Sequence, residues 1–142
     1  MSAYVIFDTD FSDKGNLILA LQMLGWTINQ IELHDTPQPL YGFGGDLRED
    51  EAHIIIRRQH LTSASNDMGF RHDGKNYAAI VSEYDRHALC TKVKCKGSFL
   101  DALKQAYAAS KLKANAKQRG LKLEMPKEIT WGKPIKMKVE LN

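Results

Sequence analysis

The sequence predicts an α+β fold, a mainly antiparallel sheet of five or more strands with two helices on one face. The first observation is an Asp-Gly pair at residues 73 and 74 between two strand-like runs. Such a pair is a strong hairpin signal, because glycine tolerates the positive φ of a tight turn. The second is that two segments, near 13–24 and 98–119, carry apolar residues at helical spacing. A ferredoxin-like order of these elements is compatible with the pattern.

The length of 142 residues, 43% of them hydrophobic, suits one domain with a core of its own. We therefore expect a single domain over residues 1–142. The amino terminus lacks a positively charged segment before its apolar run, and no apolar run has membrane-spanning length. We expect a soluble cytoplasmic protein without a membrane partner.

The first strand and helix follow from local patterns. Residues 4–7 (Tyr-Val-Ile-Phe) form a β-branched and aromatic run that predicts a short strand. Ser12 or Asp13 can cap the first helix, since a side-chain oxygen there accepts from the first free amides. Gly25 stands where a left-handed residue ends a helix.

The next segment predicts two strands and their connection. Residues 26–33 alternate, with a slip that indicates a bulge, and predict a strand. Residues 36–39 (Thr-Pro-Gln-Pro) predict a connector, because proline donates no ladder hydrogen bond, and residues 48–51 predict a charged loop. Residues 52–58 are apolar at their centre and predict a strand inside the sheet.

The return strand of the Asp-Gly hairpin is predicted over residues 77–84, at the centre of the sheet. Residues 85–87 break the pattern, and residues 92–96 alternate lysine with valine and cysteine, as an edge segment does. Ser98 can cap the second helix. After it we expect a short strand at 121–123 and a half-exposed strand at 135–141.

The charges divide along the chain. Residues 1–90 hold 7 Lys and Arg against 13 Asp and Glu, whereas residues 91–142 hold 13 against 4. A basic second part favours an anionic partner, which includes RNA or single-stranded DNA. The candidate phosphate contacts are Lys104 and Lys111, seven residues apart on the second helix, with Lys136 and Lys138 in the last strand.

Three residues resemble part of a metal site: His87, Cys90 and Cys95. Thiolate and imidazole suit zinc, but a structural zinc site needs four ligands and paired Cys-x-x-Cys knuckles are missing. We therefore expect free thiols, no metal and no cofactor. We predict no catalytic residues either, since no nucleophile stands in a recognisable context, and an enzyme is the less favoured class.

Several short stretches together resemble a small family first noticed as a conserved reading frame, number thirty-five, of red-algal plastids and cyanobacteria, and met also in other bacteria and phages. They are residues 40–42, 45–46, 52–58, 66–70, 73–77, 99–100, 105–108 and 118–120. The resemblance implies a domain of unknown function without assigned catalytic residues. It also implies an accessory role beside an ATPase of the AAA class, and the plastid stroma or a phage-infected cell as further settings.

Two functions are compatible with these observations. The first is a non-enzymatic binding or adaptor protein with a protein partner, an ATPase or a second copy of itself, that acts through a sheet face or edge. The alternative is binding of RNA or single-stranded DNA through Lys104, Lys111, Lys136 and Lys138.

Overall fold

The computed structural model describes residues 2–141 and has an α+β arrangement of three helices, a five-stranded antiparallel sheet and a two-stranded sheet. The helices are α1 (Lys14–Met23), α2 (Glu83–Val93) and α3 (Phe99–Gln118). The strands are β1 (Tyr4–Phe7), β2 (Glu32–Tyr41), β3 (Leu47–Ile56), β4 (Met68–His72), β5 (Tyr77–Ser82), β6 (Leu121–Glu124) and β7 (Lys138–Leu141).

The large sheet has the order β1-β5-β4-β3-β2, and β6 pairs with β7 apart from it. Strands β2 to β5 form a meander of hairpins, and β1 closes one edge against β5. This order differs from the ferredoxin-like one, whose βαβ units place the first strand inside the sheet. The predicted class and the sheet of five or more strands are confirmed.

All three helices pack on one face of the sheet, where most of the apolar core lies. In this core, sheet residues such as Ile54, Phe70 and Val81 pack with helix residues such as Leu21 and Leu103. The opposite face holds a smaller buried cluster, formed by Leu40, Ala52, Ile55 and Ile80 with the half-buried Tyr4. The helices therefore leave one face to be covered by other parts of the chain.

The predicted hairpin is present at the centre of the sheet, formed by β4 and β5. Gly74 adopts φ +101°, and Asp73 Oδ1 accepts hydrogen bonds from the amides of Lys75 and Asn76. Phe70 pairs with Ala79 and His72 with Tyr77 in the register. The turn therefore lies where the Asp-Gly pair predicted it.

The long β2–β3 hairpin covers the second face of the sheet. Its Leu40 is fully buried, and a Cβ atom at Gly69 of β4 would lie 2.5 Å from the Ala52 Cβ. Only a residue without a side chain lets the hairpin approach β4 so closely. The turn of the hairpin consequently reaches the segment that precedes β4, where the amide of Phe43 donates to Asn66 Oδ1 at 3.0 Å.

Three predictions around this hairpin were wrong. Residues 26–33 are mostly irregular, with a 3-10 turn at Ile28–Gln30, and the connector predicted at 36–39 lies inside β2. β2 is an edge strand, and edge strands accept prolines whose missing N–H would face outward. The loop predicted at 48–51 belongs to β3, which begins at Leu47. Leu33 pairs with Ile54 and Gln38 pairs with Ala52. The register thus advances by five residues in β2 but by only two in β3, which is a large bulge.

A helix that the sequence analysis missed follows β5 directly. Ser82 caps α2 by accepting from the amide of Asp85, so the break predicted at residues 85–87 is helical. The edge segment predicted at 92–96 is wrong as well, because it contains the last turn of α2 and a loop. The sheet thus carries three helices on its face and not two.

Both predicted helices are confirmed, with Asp13 and Ser98 as their N-cap residues. One face of the first half of α3 is buried against the core, whereas residues 111–119 are exposed apart from the half-buried Ala116. This exposed half extends beyond the sheet and carries β6 and β7. No helix within residues 2–141 is both long enough and apolar enough to cross a membrane.

Candidate functional site

The most exposed apolar surface lies on the exposed half of α3 and the β6–β7 ribbon. In the ribbon, Leu121 pairs with Leu141 and Leu123 with Val139, which places these four side chains on one face. Leu141 is 86% exposed and Val139 61%, and Leu112 of α3 is 52% exposed. We call the set formed by Leu112, Leu121, Leu123, Val139 and Leu141 the ribbon surface.

A groove of about 470 Å³ runs between α3 and the ribbon and includes most of this surface. Leu121 and Leu123 are half-buried, since β6 packs on α3, whereas every residue of β7 is exposed. Clustered apolar side chains that remain in water are a common mark of an interaction site. The ribbon surface is therefore the candidate for binding a partner.

The segment between β6 and β7 returns to the core and fixes the ribbon there. Trp131 is 5% exposed and belongs to the main core, and its carbonyl accepts from the amide of Lys96 at 2.8 Å. Gln105 of α3 accepts from the amide of Gly132 at 2.7 Å and donates to the carbonyl of Lys133 at 2.7 Å. The ribbon is thus anchored at the middle of its connection.

Cationic side chains lie beside the ribbon surface. Residues 111–141 contain nine Lys and Arg against three Glu. Lys113 and Lys117 of α3 line a concavity together with Leu121 and Leu123, which gives the ribbon surface a lysine rim on its α3 side. Lys122 and Lys138 alternate with the ribbon-surface residues and lie on the opposite face of the ribbon, where Lys127, Lys136 and Lys138 line a second concavity of about 520 Å³ with Glu124. An apolar patch with a cationic rim suits a partner that is both apolar and acidic.

The four lysines predicted to contact phosphate fall into two pairs. Lys136 and Lys138 line the same concavity on the ribbon. Lys104 and Lys111 are both exposed on α3, where the Lys111 Nζ lies 5.9 Å from the centre of the Tyr107 ring. Lys136 precedes β7, because the strand predicted at 135–141 begins only at Lys138. Phosphate contact by the four lysines stays a prediction.

The free thiols predicted at Cys90 and Cys95 are absent, because the two residues form a disulfide bond. Cys90 is in the last turn of α2 and Cys95 follows the helix end, and their Cα atoms are 5.1 Å apart, a separation that a disulfide spans. His87 is exposed one turn before Cys90. In the part of the chain that the structure describes, no group of His, Cys, Asp or Glu side chains is arranged to hold a metal ion.

Directly after β3, Arg57 forms ion pairs with two carboxylates, those of Glu32 and Asp67. Its Nε and Nη2 donate to the two oxygens of Glu32 at 2.8 and 2.9 Å, and its Nη1 lies 2.8 Å from Asp67 Oδ2. The amides of Tyr41 and Arg58 also donate to Asp67, which is 2% exposed. The hydrogen bond to Arg57 holds the pKa of Glu32 below its ordinary value, and the same bond raises the pKa of Arg57.

A second polar cluster lies next to it, at the start of α2. Asp85 is fully buried and accepts from the Ser82 hydroxyl at 2.7 Å and from the amide of Asn66 at 2.9 Å. The Tyr4 hydroxyl donates to the carbonyl of Asp67 at 2.7 Å, and burial raises the pKa of Tyr4 above its ordinary value. These clusters tie β2, β3, β5 and α2 together, so their role is to hold the fold.

Sequence reasoning missed the ribbon surface and the buried clusters for different reasons. The ribbon surface depends on the register between β6 and β7, which no local pattern gives. The clusters had one signal, the polar residues 65–67 between two apolar strands, which indicate buried polar side chains only once both strands are known to lie inside the sheet.

Comparison with known proteins adds a family and nothing more specific. No curated protein and no solved structure matches the chain significantly. A family described as "protein of unknown function (DUF1257)" matches residues 20–133, from the middle of α1 to the connection between β6 and β7. The match includes β2 to β6, α2, α3 and the buried polar clusters apart from Tyr4, and it leaves out β1 and β7. The chain therefore belongs to the DUF1257 family, whose function is unknown.

Proposed function

We propose that this protein is a non-enzymatic binding protein, an adaptor, whose partner docks on the ribbon surface. The observation that supports the proposal is the exposure of Leu112, Val139 and Leu141 side by side on a part of the chain that extends beyond the sheet. Fully burying a side chain of this size stabilises a complex by about 1.5–3 kcal/mol before the costs of association. In this proposal the three residues form the apolar centre of the interface.

The partner we propose is a protein segment with both apolar and acidic residues. Its apolar side would fill the groove beside Leu121 and Leu123, and its acidic residues would face the lysine rim, such as Lys113 and Lys117. Opposite charges at a rim speed encounter and set orientation more than they add affinity. Association should therefore slow as salt is added, while the apolar contacts keep the complex together.

The resemblance to the plastid and cyanobacterial reading-frame family names the partner to test first, an ATPase of the AAA class. In this proposal the protein is accessory to that ATPase in the cytoplasm, or in the plastid stroma or a phage-infected cell if its source is one of those. The resemblance supports this choice only because genes of that family neighbour an ATPase gene in some genomes. The experiment below does not depend on it.

A photo-reactive amino acid placed at Val139 tests the proposal in the native host. We expect it to cross-link to a partner protein through an acidic and apolar segment, whereas the same probe at Leu19 of α1, an exposed leucine away from the ribbon, should not. Purified partner is then titrated against a variant with Leu112→Ser, Val139→Thr and Leu141→Thr, and against the control Leu19→Ser. We expect binding to weaken at least about tenfold, a change of about 1.4 kcal/mol, in the first variant only. Equal affinity in both variants would contradict the proposal.

A second candidate is RNA or single-stranded DNA binding, which the concavity that contains Lys136 and Lys138 favours. Replacing Lys104, Lys111, Lys136 and Lys138 by Gln tests it in fluorescence anisotropy across a salt series. Sub-micromolar affinity that falls steeply with salt and is lost in this variant would favour nucleic acid, because each phosphate contact releases a condensed counterion. We expect instead weak binding that the four substitutions hardly change.

A further inference from the structure

β1 leaves one edge of the five-stranded sheet open. It pairs with β5 alone, in the register Tyr4 with Ser82 to Phe7 with Ala79. In this ladder the amide of Glu83 donates to the carbonyl of Ala3 at 2.8 Å. Because backbone groups in an antiparallel pair alternate in direction, those of Val5 and Phe7 face β5 and those of Tyr4 and Ile6 face outward. The open edge thus presents two donors and two acceptors.

The two edges of this sheet are protected to different degrees. β2, at the far edge, contains Pro37 and Pro39 and the large bulge, which are features that prevent further strand pairing. β1 has the sequence Tyr-Val-Ile-Phe, without a lysine, a proline or a bulge. Its Ile6 is 59% exposed on the face away from the helices. Natural sheets seldom leave an apolar edge unprotected unless something pairs with it.

We propose that β1 pairs with β1 of a second copy of this chain, which joins two sheets into one of ten strands. An antiparallel pair centred on Val5 places Tyr4 of each copy opposite Ile6 of the other. The outward groups of both residues then form four hydrogen bonds. The arrangement has two-fold symmetry, so the same patch serves both copies. Ile6, exposed in one copy, packs beside the Tyr4 ring of the other.

The charges near this edge favour a second copy over an unrelated strand. The same register brings the exposed Asp8 opposite Ser2 of the other copy. Arg48 lies there, because its Nη2 donates to the carbonyl of Ser2 at 2.7 Å and its guanidinium is 4.6 Å from the centre of the Tyr4 ring. Arg48 Nη1 is buried without a hydrogen bond within residues 2–141, and its carboxylate neighbour, Asp46, is 3.9 Å away. In this pairing Asp8 of one copy adds a negative charge beside the Arg48 side chain of the other.

Sedimentation equilibrium of the full chain over a range of concentrations tests the proposal. We expect a monomer–dimer equilibrium, weakened at least about tenfold by Ile6→Lys, which puts a charge on the edge. Leu33→Lys, a matched change at an exposed apolar residue of β2, should leave the dissociation constant unchanged. Asp8→Asn should weaken the dimer and reduce its dependence on salt.

A proline at position 6 or position 5 distinguishes an edge interface from a general loss of structure. Ile6→Pro removes an amide that faces outward, so we expect a folded monomer with nearly unchanged thermal unfolding. Val5→Pro removes an amide that faces β5, and it should lower the melting temperature as well. Three outcomes would overturn the proposal: a chain that stays monomeric at about 100 µM, a dimer that Ile6→Lys leaves intact, or a dimer that only the ribbon-surface substitutions dissociate. The last outcome would place self-association on the ribbon.

Discussion

Arg57 Nη1 lies 2.8 Å from Oδ2 of Asp67, a carboxylate that is 2% exposed, and this contact joins the end of β3 to the segment before β4. Both oxygens of Asp67 accept hydrogen bonds, from a guanidinium and from two backbone amides. Asp67 therefore helps to hold the β2–β3 hairpin in its position over the sheet, together with Asn66, which accepts from the amide of Phe43.

Asp67→Ala should destabilise the fold by about 2–4 kcal/mol, because it leaves two backbone amides without their acceptor and takes one of two carboxylates from Arg57, which keeps Glu32. Urea unfolding of wild type and variant measures the change. Arg71→Gln is the control, since Arg71 and Glu51 form an ion pair at 3.7 Å between two exposed side chains. Its expected effect is within about 0.5 kcal/mol. An Asp67→Ala variant as stable as the control would mean that water replaces the carboxylate.

The pKa of Glu32, which the hydrogen bond from Arg57 lowers, predicts how stability depends on pH. A group whose pKa is lower in the folded state stabilises the fold above its unfolded value, near 4.5, and this contribution is lost as pH falls through the folded value. Wild type should therefore be more stable than Glu32→Gln at pH 7, and the difference should shrink below about pH 4.5. Urea midpoints from pH 3 to 7 measure it. A difference that is constant over this range would argue against the ion pair.

Gly74→Val should destabilise the β4–β5 hairpin, since a β-branched residue at φ +101° is strained by about 1–3 kcal/mol. Lys75→Val in the same exposed turn adds the same side chain at a residue without positive φ, and it should have a much smaller effect. Thermal unfolding compares the two variants. Equal melting temperatures would show that the turn does not require glycine at residue 74.

Gly132→Ala should release the ribbon from the core, and Gly120→Ala is its matched control. Both glycines have positive φ, so both alanine variants carry the same conformational strain of about 1 kcal/mol. Only at Gly132 would the new Cβ atom collide with the carbonyl oxygen of Lys96, whereas nothing lies within 4 Å at Gly120. We expect a clearly larger loss of stability at 132, with faster hydrogen exchange at the amide of Lys96. Similar losses of stability in both variants would mean that the close approach of Gly132 to the carbonyl of Lys96 does not affect stability.

The disulfide predicts how the two cysteines react. Unreduced protein should not react with a maleimide, and reduced protein should react at Cys90 and Cys95. The chain contains only these two cysteines, so the Cys90→Ser, Cys95→Ser variant is an unreactive control in either state. Elemental analysis on the same samples should find no zinc bound in proportion to the chain. Full labelling before reduction would mean that Cys90 and Cys95 are free thiols. One zinc per chain would indicate that His87, Cys90 and Cys95 bind the metal.

Local signals decided which elements the sequence could predict. α1, α3 and the β4–β5 hairpin each have a cap or turn residue whose effect is confined to its neighbours, and all three are confirmed. α2 was missed although Ser82 caps it, because only Asp85 and Leu89 of the helix are buried and no apolar stripe marks it. The strand character of residues 36–39 depends on β2 being at an edge, which is a property of the whole sheet.

The same distinction applies to the candidate sites. Lysine content and charge division could be counted in the sequence, and they correctly indicated a basic region. On the ribbon surface, Leu112 is 27 residues from Val139 along the chain, and only the packing of β6 on α3 and the pairing of β6 with β7 bring the two together. The open edge of β1 likewise follows from the strand order and not from the residues of β1 alone.

The anchor at Trp131 holds the ribbon at the connection between its two strands. The pair Leu121 and Leu141, at the opposite end of the ribbon, can separate without moving Trp131, since the connection is held to Lys96 and Gln105 by hydrogen bonds. Separation of β7 from β6 is therefore a local opening, whose free energy is far smaller than that of global unfolding. In hydrogen exchange its amides should lose protection first, and those of the five-stranded sheet last.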